Sequence, residues 1–190
     1  MPTCVSHVAP VLAMGTALGF NRFPPRLLAA AAFFAMAPDL DVIAFHFGIS
    51  YADLLGHRGV SHSLSAALIA GGLGALAAPF LRCGRLAAFS LIFLALASHI
   101  ALDAATTGGL GVAAFWPLSN ERYFLPWRPI RVSPFDPRVF LGSRGLETIK
   151  SELIWVWLPF FSAAVLLRLA RSGSPPTAGK TRSKHCHTKF

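Results

Sequence analysis

Residues 86–102 read LAAFSLIFLALASHIAL, a run that contains no Asp, Glu, Lys or Arg and is followed at once by Asp103. As an α-helix rising about 1.5 Å per residue, this run is about 25 Å long and approaches the ~30 Å hydrocarbon core of a bilayer. Ionisable side chains are costly inside a membrane and by default mark a functional site. The run therefore predicts a membrane helix that carries such a site near its end, at His99 and Asp103.

The composition of the chain excludes an ordinary soluble domain. The 190 residues are 54% hydrophobic and only 13% charged, and the mean hydropathy is +0.57, whereas soluble domains are about 25% charged. The net charge of +9 does not indicate nucleic-acid binding, because the basic residues lie at the ends of apolar runs or in the C-terminal tail, where a membrane accounts for them. The three cysteines are far apart and in no CxxC spacing, which argues against a disulfide scaffold and a thiolate zinc site.

Four further apolar blocks lie at Val8 to Phe20, Leu27 to Phe47, Ser63 to Leu81 and Leu153 to Leu169. The first block is short, and no Lys or Arg precedes it, so we expect an uncleaved or partly inserted first helix and not a secretory signal. The blocks together predict an all-α fold, a polytopic membrane protein with about five hydrophobic helices and a polar chamber near its outer face.

The basic residues between the blocks predict the orientation. Arg22 and Arg26 lie in one break, Arg82 and Arg85 in another, and the tail from Arg168 onward carries no acidic residue. By the positive-inside rule, these breaks are cytoplasmic and the protein is N-out and C-in. We expect a membrane domain over 1–171 with an extracytoplasmic segment at 103–152, and a basic, disordered cytoplasmic tail over 172–190.

Ionisable side chains gather at one depth of this predicted bundle. Asp39, His99 and His7 each lie 12 or 13 residues from the cytoplasmic end of their own block, which is roughly 18–20 Å along a helix. His99 and Asp103 are four residues apart and share one helix face. Asp39 and Asp41 are about 200° apart on a regular helix, so we expect the backbone to break near Pro38 if both face the chamber.

Imidazoles and carboxylates are the ligands of zinc, manganese or iron, and three or four of them hold one ion. Seven residues are candidate metal ligands, enough for one or two ions: His7, Asp39, Asp41, His57, His62, His99 and Asp103. Metal centres of this kind activate water and bind the oxygens of a phosphoester. Arg58 and Asp41 are the candidate catalytic residues, and Arg58 is placed to bind a phosphate oxygen. The alternative for Arg58 is a loop arginine that reaches for lipid headgroups. The alternative for each candidate ligand is a polar residue that forms a hydrogen bond between helices.

We interpret Ser61 and Ser63 as caps of the third helix, and His46 as structural.

The same residues form a pattern. It consists of Ser6-His7, Pro38-Asp39-Leu40-Asp41, His57-Arg58-Gly59-Val60-Ser61-His62-Ser63, His99 with Asp103, and Trp116-Pro117-Leu118-Ser119. In order and spacing, roughly from Met1 to Tyr123, the pattern resembles the YdjM-like bacterial inner-membrane proteins, a family of membrane-bound metal-dependent hydrolases. That family is distantly similar to the α-helical zinc-dependent phospholipase C and P1 nuclease superfamily, whose sites use an HxxxD pair that His99 and Asp103 match. The resemblance implies location in the bacterial inner membrane, bound zinc and phosphoester hydrolysis.

The leading hypothesis is therefore a membrane-bound metal-dependent hydrolase that acts on a phospholipid or lipid-linked phosphate at the outer leaflet through metal-activated water. The segment from Thr106 to Ser151 is expected to form an interfacial lid or anchor. Its aromatic residues include Trp116, Tyr123, Phe124, Trp127, Phe135 and Phe140. Two alternatives stay open. One is a transporter or metal carrier, which the apolar inner halves of the helices disfavour, and the other is a non-catalytic membrane protein with a structural metal site.

Overall fold

A computed structural model describes residues 1–172, and the predicted tail, apart from Ser172, lies outside the described residues. The prediction of an all-α chain is confirmed for the described part. Its α-helices are α1 (Ala9–Leu18), α2 (Pro25–Met36), α3 (Leu64–Leu76), α4 (Ala78–Leu81), α5 (Arg85–Ala104), α6 (Pro137–Phe140), α7 (Ser143–Glu152) and α8 (Leu158–Ser172). Short 3-10 helices at Ser6–Val8, Phe20–Arg22, Ala37–Phe47 and Val60–His62, and a π-helical turn at Leu153–Trp157, complete them.

Three continuous helical stretches are long and apolar enough to cross a membrane, at Pro25–Phe47, Arg85–Ala104 and Ser143–Ser172. The apolar helices Ser6–Leu18 and Leu64–Leu76 are shorter. The predicted third block is not one helix, because α3 ends at Leu76 and α4 starts with Pro79 in its first turn, and a proline there removes a backbone donor and clashes with the preceding turn.

Helix α5 lies at the centre of the bundle and packs against α2 and α3. Small residues let α3 and α5 approach closely, as is common between membrane helices. A Cβ atom added at Gly74 would lie 2.5 Å from Ile92 Cδ1, and one at Gly71 would lie 3.0 Å from Phe89 Cδ2. Helix α1 packs against α8 on the other side of the bundle.

The predicted break near Pro38 is present. Helix α2 ends at Met36, and the chain continues as a 3-10 helix over Ala37–Phe47 with Pro38 in its first turn. A 3-10 helix has 3.0 residues per turn in place of 3.6, so the side chains that follow Met36 turn away from the faces that α2 would have given them. Asp39 and Asp41 both lie in this altered segment.

The segment between α5 and α7 covers the end of the bundle at which α5 finishes. It is mostly irregular. Backbone hydrogen bonds from Leu125 N to Ala104 O (2.9 Å) and from Ala113 N to Arg58 O (3.0 Å) hold it there, and one from Thr107 N to Ile130 O (2.9 Å) joins two parts of the segment itself. Arg122 adds side-chain hydrogen bonds to the carbonyl oxygens of His57 (2.8 Å) and Asp53 (2.9 Å).

Basic residues collect at the opposite end of the bundle, where α5 begins. Arg22, Arg168 and Arg171 line one cavity there. Arg26 Nη1 donates to the carbonyl oxygen of Phe80 at 3.1 Å, which joins the start of α2 to α4. The breaks that the sequence analysis assigned to one face of the membrane therefore lie together.

Candidate metal centre

Four segments of the chain supply the side chains of one buried cluster. Helix α5 carries His99 and Asp103 on adjacent turns, and the 3-10 helix Ala37–Phe47 carries the two aspartates of the PDLD motif. The loop before α3 supplies the two histidines of HRGVSHS, and the N-terminal turn Ser6–Val8 supplies His7. The structure brings all seven candidate ligands together. Six of them are at most 4% exposed, and only Asp41 is half-buried.

Four of these residues could hold one ion, since their ligand atoms all lie within 4.8 Å of one another: Asp39, His62, His99 and Asp103. His62 Nε2 lies 3.0 Å from His99 Nε2 and 3.2 Å from Asp103 Oδ2. Asp39 Oδ1 lies 3.5 Å from His99 Nε2 and 3.7 Å from His62 Nε2. Ligand atoms about 2.1 Å from one tetrahedral zinc ion are about 3.4 Å apart, so the spacing fits such an ion.

His7 extends this group on the side of α1. Its Nε2 atom lies 3.6 Å from Asp39 Oδ2 and 3.7 Å from Asp103 Oδ1, so it faces the second oxygen of each carboxylate. Its ring stacks on that of His99 with centroids 3.7 Å apart.

Asp41 joins a second group with His57 and His62. Its Oδ1 atom is 2.6 Å from His57 Nδ1, and its Oδ2 atom is 3.1 Å from His62 Nδ1. Oδ2 also accepts hydrogen bonds from Ser61 Oγ (2.6 Å) and from the backbone N–H of Arg58 (3.1 Å). Both oxygens of Asp41 are thus used by neighbouring groups of the protein.

The two serines of this loop differ in role. Ser63 caps α3 as expected, because its Oγ atom accepts the backbone N–H of Ala66 at 3.1 Å. The expectation that Ser61 also caps the helix is wrong, because its hydroxyl bonds to Asp41 and approaches His62 Nδ1 at 3.0 Å. His46 is exposed and lies outside both groups.

The unsatisfied polar atoms of the described chain all lie here. Within residues 1–172, the buried side-chain nitrogen and oxygen atoms without a hydrogen-bond partner are His7 Nδ1 and Nε2, Asp39 Oδ1, His57 Nε2, Arg58 Nε, and both oxygens of Asp103. Buried polar groups are normally satisfied, and an unsatisfied one often indicates an ion or water that binds there. The three carboxylates of the cluster face one guanidinium, so a divalent cation also fits the charge.

The negative charge of these carboxylates also raises the pKa values of two nearby residues, His62 and Cys4. Burial alone would lower the pKa of His62, but the carboxylates of Asp103, Asp39 and Asp41 beside it outweigh burial and raise this pKa to about 10. Burial and the nearby Asp39 raise the pKa of Cys4 to about 11. The Cys4 thiol donates to Asp39 Oδ2 at 3.6 Å and stays protonated at neutral pH, which agrees with a site that uses no thiolate.

Arg58 is fully buried beside the cluster. Its Nε atom lies 3.1 Å from Asp103 Oδ2, and its two Nη atoms donate to Gly108 O (2.9 Å) and Thr106 Oγ1 (3.0 Å). The alternative of a loop arginine that reaches for lipid headgroups is therefore wrong. Arg58 connects the cluster to the irregular segment that covers it.

Glu152, which the sequence analysis did not select, holds the N-terminal turn in place. It is 3% exposed and accepts hydrogen bonds from Thr3 N (2.5 Å), Thr3 Oγ1 (2.6 Å) and Ser6 Oγ (2.7 Å). Trp157 Nε1 donates to Ser6 Oγ at 3.0 Å. The sequence feature that could have identified Glu152 is its position directly before the apolar block that begins at Leu153.

Comparison with known proteins gives two matches. A family model described as "YdjM inner membrane protein" matches residues 1–173. "Inner membrane protein YbcI" of Escherichia coli (strain K12) is 43% identical over 160 residues, which cover 84% of this chain and 92% of that protein. No solved structure matches.

Proposed function

The chain belongs to the YdjM inner membrane protein family, and we propose that its buried His/Asp cluster is the metal centre of a membrane-bound hydrolase that cleaves a phosphoester. The observation that carries this proposal is the set of buried, unsatisfied nitrogen and oxygen atoms on His7, Asp39, His57 and Asp103. Such a set is costly to bury without a cation.

The group of His62, His99, Asp39 and Asp103 holds the first divalent ion, with His7 beside it. Zinc suits this group best, because the donors are imidazoles and carboxylates at the spacing of a tetrahedral site, and manganese or iron accept the same ligands. We place no second ion on the group of Asp41, His57 and His62, because both oxygens of Asp41 already have protein partners.

A divalent ion held there supplies water activation and stabilises negative charge on the oxygens of a phosphoester. Asp41 accepts the Nδ1 protons of His57 and His62, which fixes both rings and leaves their Nε2 atoms free of protons. Arg58 neutralises Asp103. Three N–H groups of its guanidinium contact the protein, and the other two bind a phosphate oxygen.

The proposed topology is N-out and C-in, with the cluster near the outer face. It rests on the basic end of the bundle, where Arg22, Arg168 and Arg171 lie together away from the cluster. In this topology the two shorter apolar helices complete about five membrane helices. Residues 1–171 form the membrane domain, 103–152 face outward as an interfacial lid, and 172–190 form a basic cytoplasmic tail.

A structural metal centre is the second candidate function. It is favoured by the burial of the first group, because none of its four residues is more than 4% exposed, and structural sites are closed.

A metal carrier would need polar groups along both halves of its path. The cytoplasmic half of the bundle is lined by buried Leu27, Ala31, Ala88 and Leu91, which disfavours a carrier.

Phosphorus NMR of zinc-loaded protein in detergent micelles tests the hydrolase. The micelles contain phosphatidylethanolamine, phosphatidylglycerol, phosphatidate and a polyprenyl phosphate. We expect wild type and the exposed control His46→Ala to convert at least one of these resonances, and Asp103→Asn to convert none. Zinc-loaded wild type that converts none of them would overturn the hydrolase and leave the structural centre.

A further inference from the structure

A cavity of about 400 Å³ lies beside the cluster, beneath the irregular segment. Its wall includes Tyr51, Gly109, Val132, Phe135, Asp136 and Arg144. Sites for small ligands are typically 300–1,000 Å³ and combine apolar walls with a few polar groups. The size and lining of this cavity are of that kind.

The rings of Tyr51 and Phe135 separate the cavity from His57, which lies behind them in the cluster. The ring centroids of Tyr51 and Phe135 lie 5.1 Å and 5.4 Å from that of His57, and both rings line the cavity. His57 is fully buried, its Nδ1 atom faces Asp41, and its Nε2 atom has no hydrogen-bond partner among residues 1–172. Gly109 lies on the same wall, where an added Cβ atom would be 2.8 Å from Arg58 Nη1.

Two opposite charges on the cavity wall indicate the chemistry of its ligand. Arg144 and Asp136 are both exposed, and within the described chain neither forms an ion pair at 4.0 Å or less. Asp136 uses Oδ1 to cap α6 through the backbone N–H of Arg138 (2.8 Å), and its Oδ2 atom forms no such bond. A guanidinium suits a phosphate oxygen, whereas a carboxylate next to aromatic rings suits an ammonium group.

We propose that this cavity binds a zwitterionic phosphoester headgroup, with its phosphate on Arg144 and its ammonium on Asp136 between the rings of Tyr51 and Phe135. The inference rests on the proposed function and names the substrate class of that same centre. A headgroup in this cavity lies against the rings of Tyr51 and Phe135, which in turn contact His57 of the cluster. The ligand is the headgroup of a phospholipid such as phosphatidylethanolamine, or the same group in a soluble ester.

Calorimetric titration of zinc-loaded protein tests this assignment without relying on activity. The probes are dihexanoyl phosphatidylethanolamine, dihexanoyl phosphatidylglycerol and soluble phosphoethanolamine. We expect wild type to bind the ethanolamine lipid about tenfold more tightly than the glycerol lipid. Arg144→Gln weakens both lipids, and Asp136→Asn, which keeps an oxygen for the helix cap, removes the preference alone.

The matched control is Arg138→Gln, an exposed arginine two residues from Asp136 that does not line the cavity. It keeps the wild-type affinities. If soluble phosphoethanolamine binds as tightly as the ethanolamine lipid, the ligand is a soluble ester. If the lipid binds more tightly than soluble phosphoethanolamine, the ligand is a phospholipid of the bilayer. Equal affinity for the two lipids, or a preference that survives Asp136→Asn, would overturn the proposal. Zinc content measured on the same samples separates these results from failure of the metal centre itself.

Discussion

At the scale of single residues, two aspartates of the cluster, Asp41 and Asp103, differ in the hydrogen bonds that their oxygens accept. Both oxygens of Asp41 have protein partners, which are His57, His62, Ser61 and the backbone of Arg58. Neither oxygen of Asp103 has a hydrogen-bond partner in the described chain. A carboxylate with free lone pairs is available to an ion, whereas one that is fully bonded orients its neighbours. We therefore propose that Asp103 is a metal ligand and that Asp41 is a positioning residue.

Substitution of the two aspartates tests this division. Asp103→Asn is expected to abolish zinc binding, because a ligand charge is lost. Asp41→Asn is expected to weaken zinc binding by about 10–100-fold, as is usual when the partner of a ligating histidine is removed. Competition with a chromogenic chelator measures both affinities. Loss of binding in Asp41→Asn as complete as in Asp103→Asn would instead make Asp41 a ligand.

Glu152 is the residue on which the position of the N-terminal turn depends. Glu152→Ala is expected to lower the free energy of unfolding by about 1–3 kcal/mol, because the Thr3 N–H and the Ser6 hydroxyl lose their acceptor in a buried place. It should also weaken zinc binding, since His7 follows Ser6 directly. Thermal unfolding in detergent and chelator competition measure the two effects. The control is Glu147→Ala, an exposed acid on the same helix, and equal effects of both substitutions would refute the assignment.

At the scale of elements, the close contact of α3 with α5 positions the residues of the cluster. Helix α5 carries His99 and Asp103, and the loop that precedes α3 carries His57 and His62. Glycines on α3 allow that contact. Gly74 has no space for a Cβ atom beside Ile92, whereas nothing lies within 4 Å of the Cβ position of Gly72.

These glycines give a matched pair of substitutions. Gly74→Ala is expected to destabilise the protein by about 1–3 kcal/mol through overpacking against Ile92. Gly72→Ala should be neutral or slightly stabilising, because alanine favours a helix over glycine. The midpoint of thermal unfolding measures both, and Ile92→Val should partly rescue Gly74→Ala. Equal midpoints for the two alanine variants would contradict the close contact.

The sequence predicts the helices and the residue types of the cluster better than it predicts their connections. The apolar run at residues 86–102 and the four-residue step from His99 to Asp103 follow from helix geometry alone. The partners of Arg58 could not be predicted, because Thr106 and Gly108 lie about fifty residues further along an irregular segment. The sequence does not distinguish a helix cap at Ser61 from a hydrogen bond to Asp41, because both roles use the same hydroxyl group.

At the scale of the whole molecule, opposite chemistry separates the two ends of the bundle. Arg22, Arg168 and Arg171 lie at the end where α5 begins, and the carboxylates and imidazoles lie near its other end. Basic residues favour the cytoplasmic side of a membrane. The proposed N-out, C-in orientation depends on this separation of the basic end from the cluster.

Labelling of introduced cysteines tests the orientation. In a variant with Cys4, Cys83 and Cys186 replaced by alanine, we expect Arg131→Cys to react with a membrane-impermeant maleimide in intact spheroplasts. Ser172→Cys should react only after the membrane is permeabilised, because Ser172 is the last residue of α8 and follows Arg171 at its basic end. The reverse pattern of labelling would invert the topology and place the cluster near the cytoplasmic face.

The metal content of the purified protein shows whether the buried cluster is a metal centre. Wild type, the exposed control His46→Ala, and the double variant His99→Ala with Asp103→Ala are purified in detergent without chelators, and their metals are measured by mass spectrometry. We predict at least one zinc, manganese or iron ion per chain in wild type and control, and none in the double variant. Wild-type protein that is folded but contains no metal, and takes up none when zinc is added, would contradict the metal centre on which the proposed function rests.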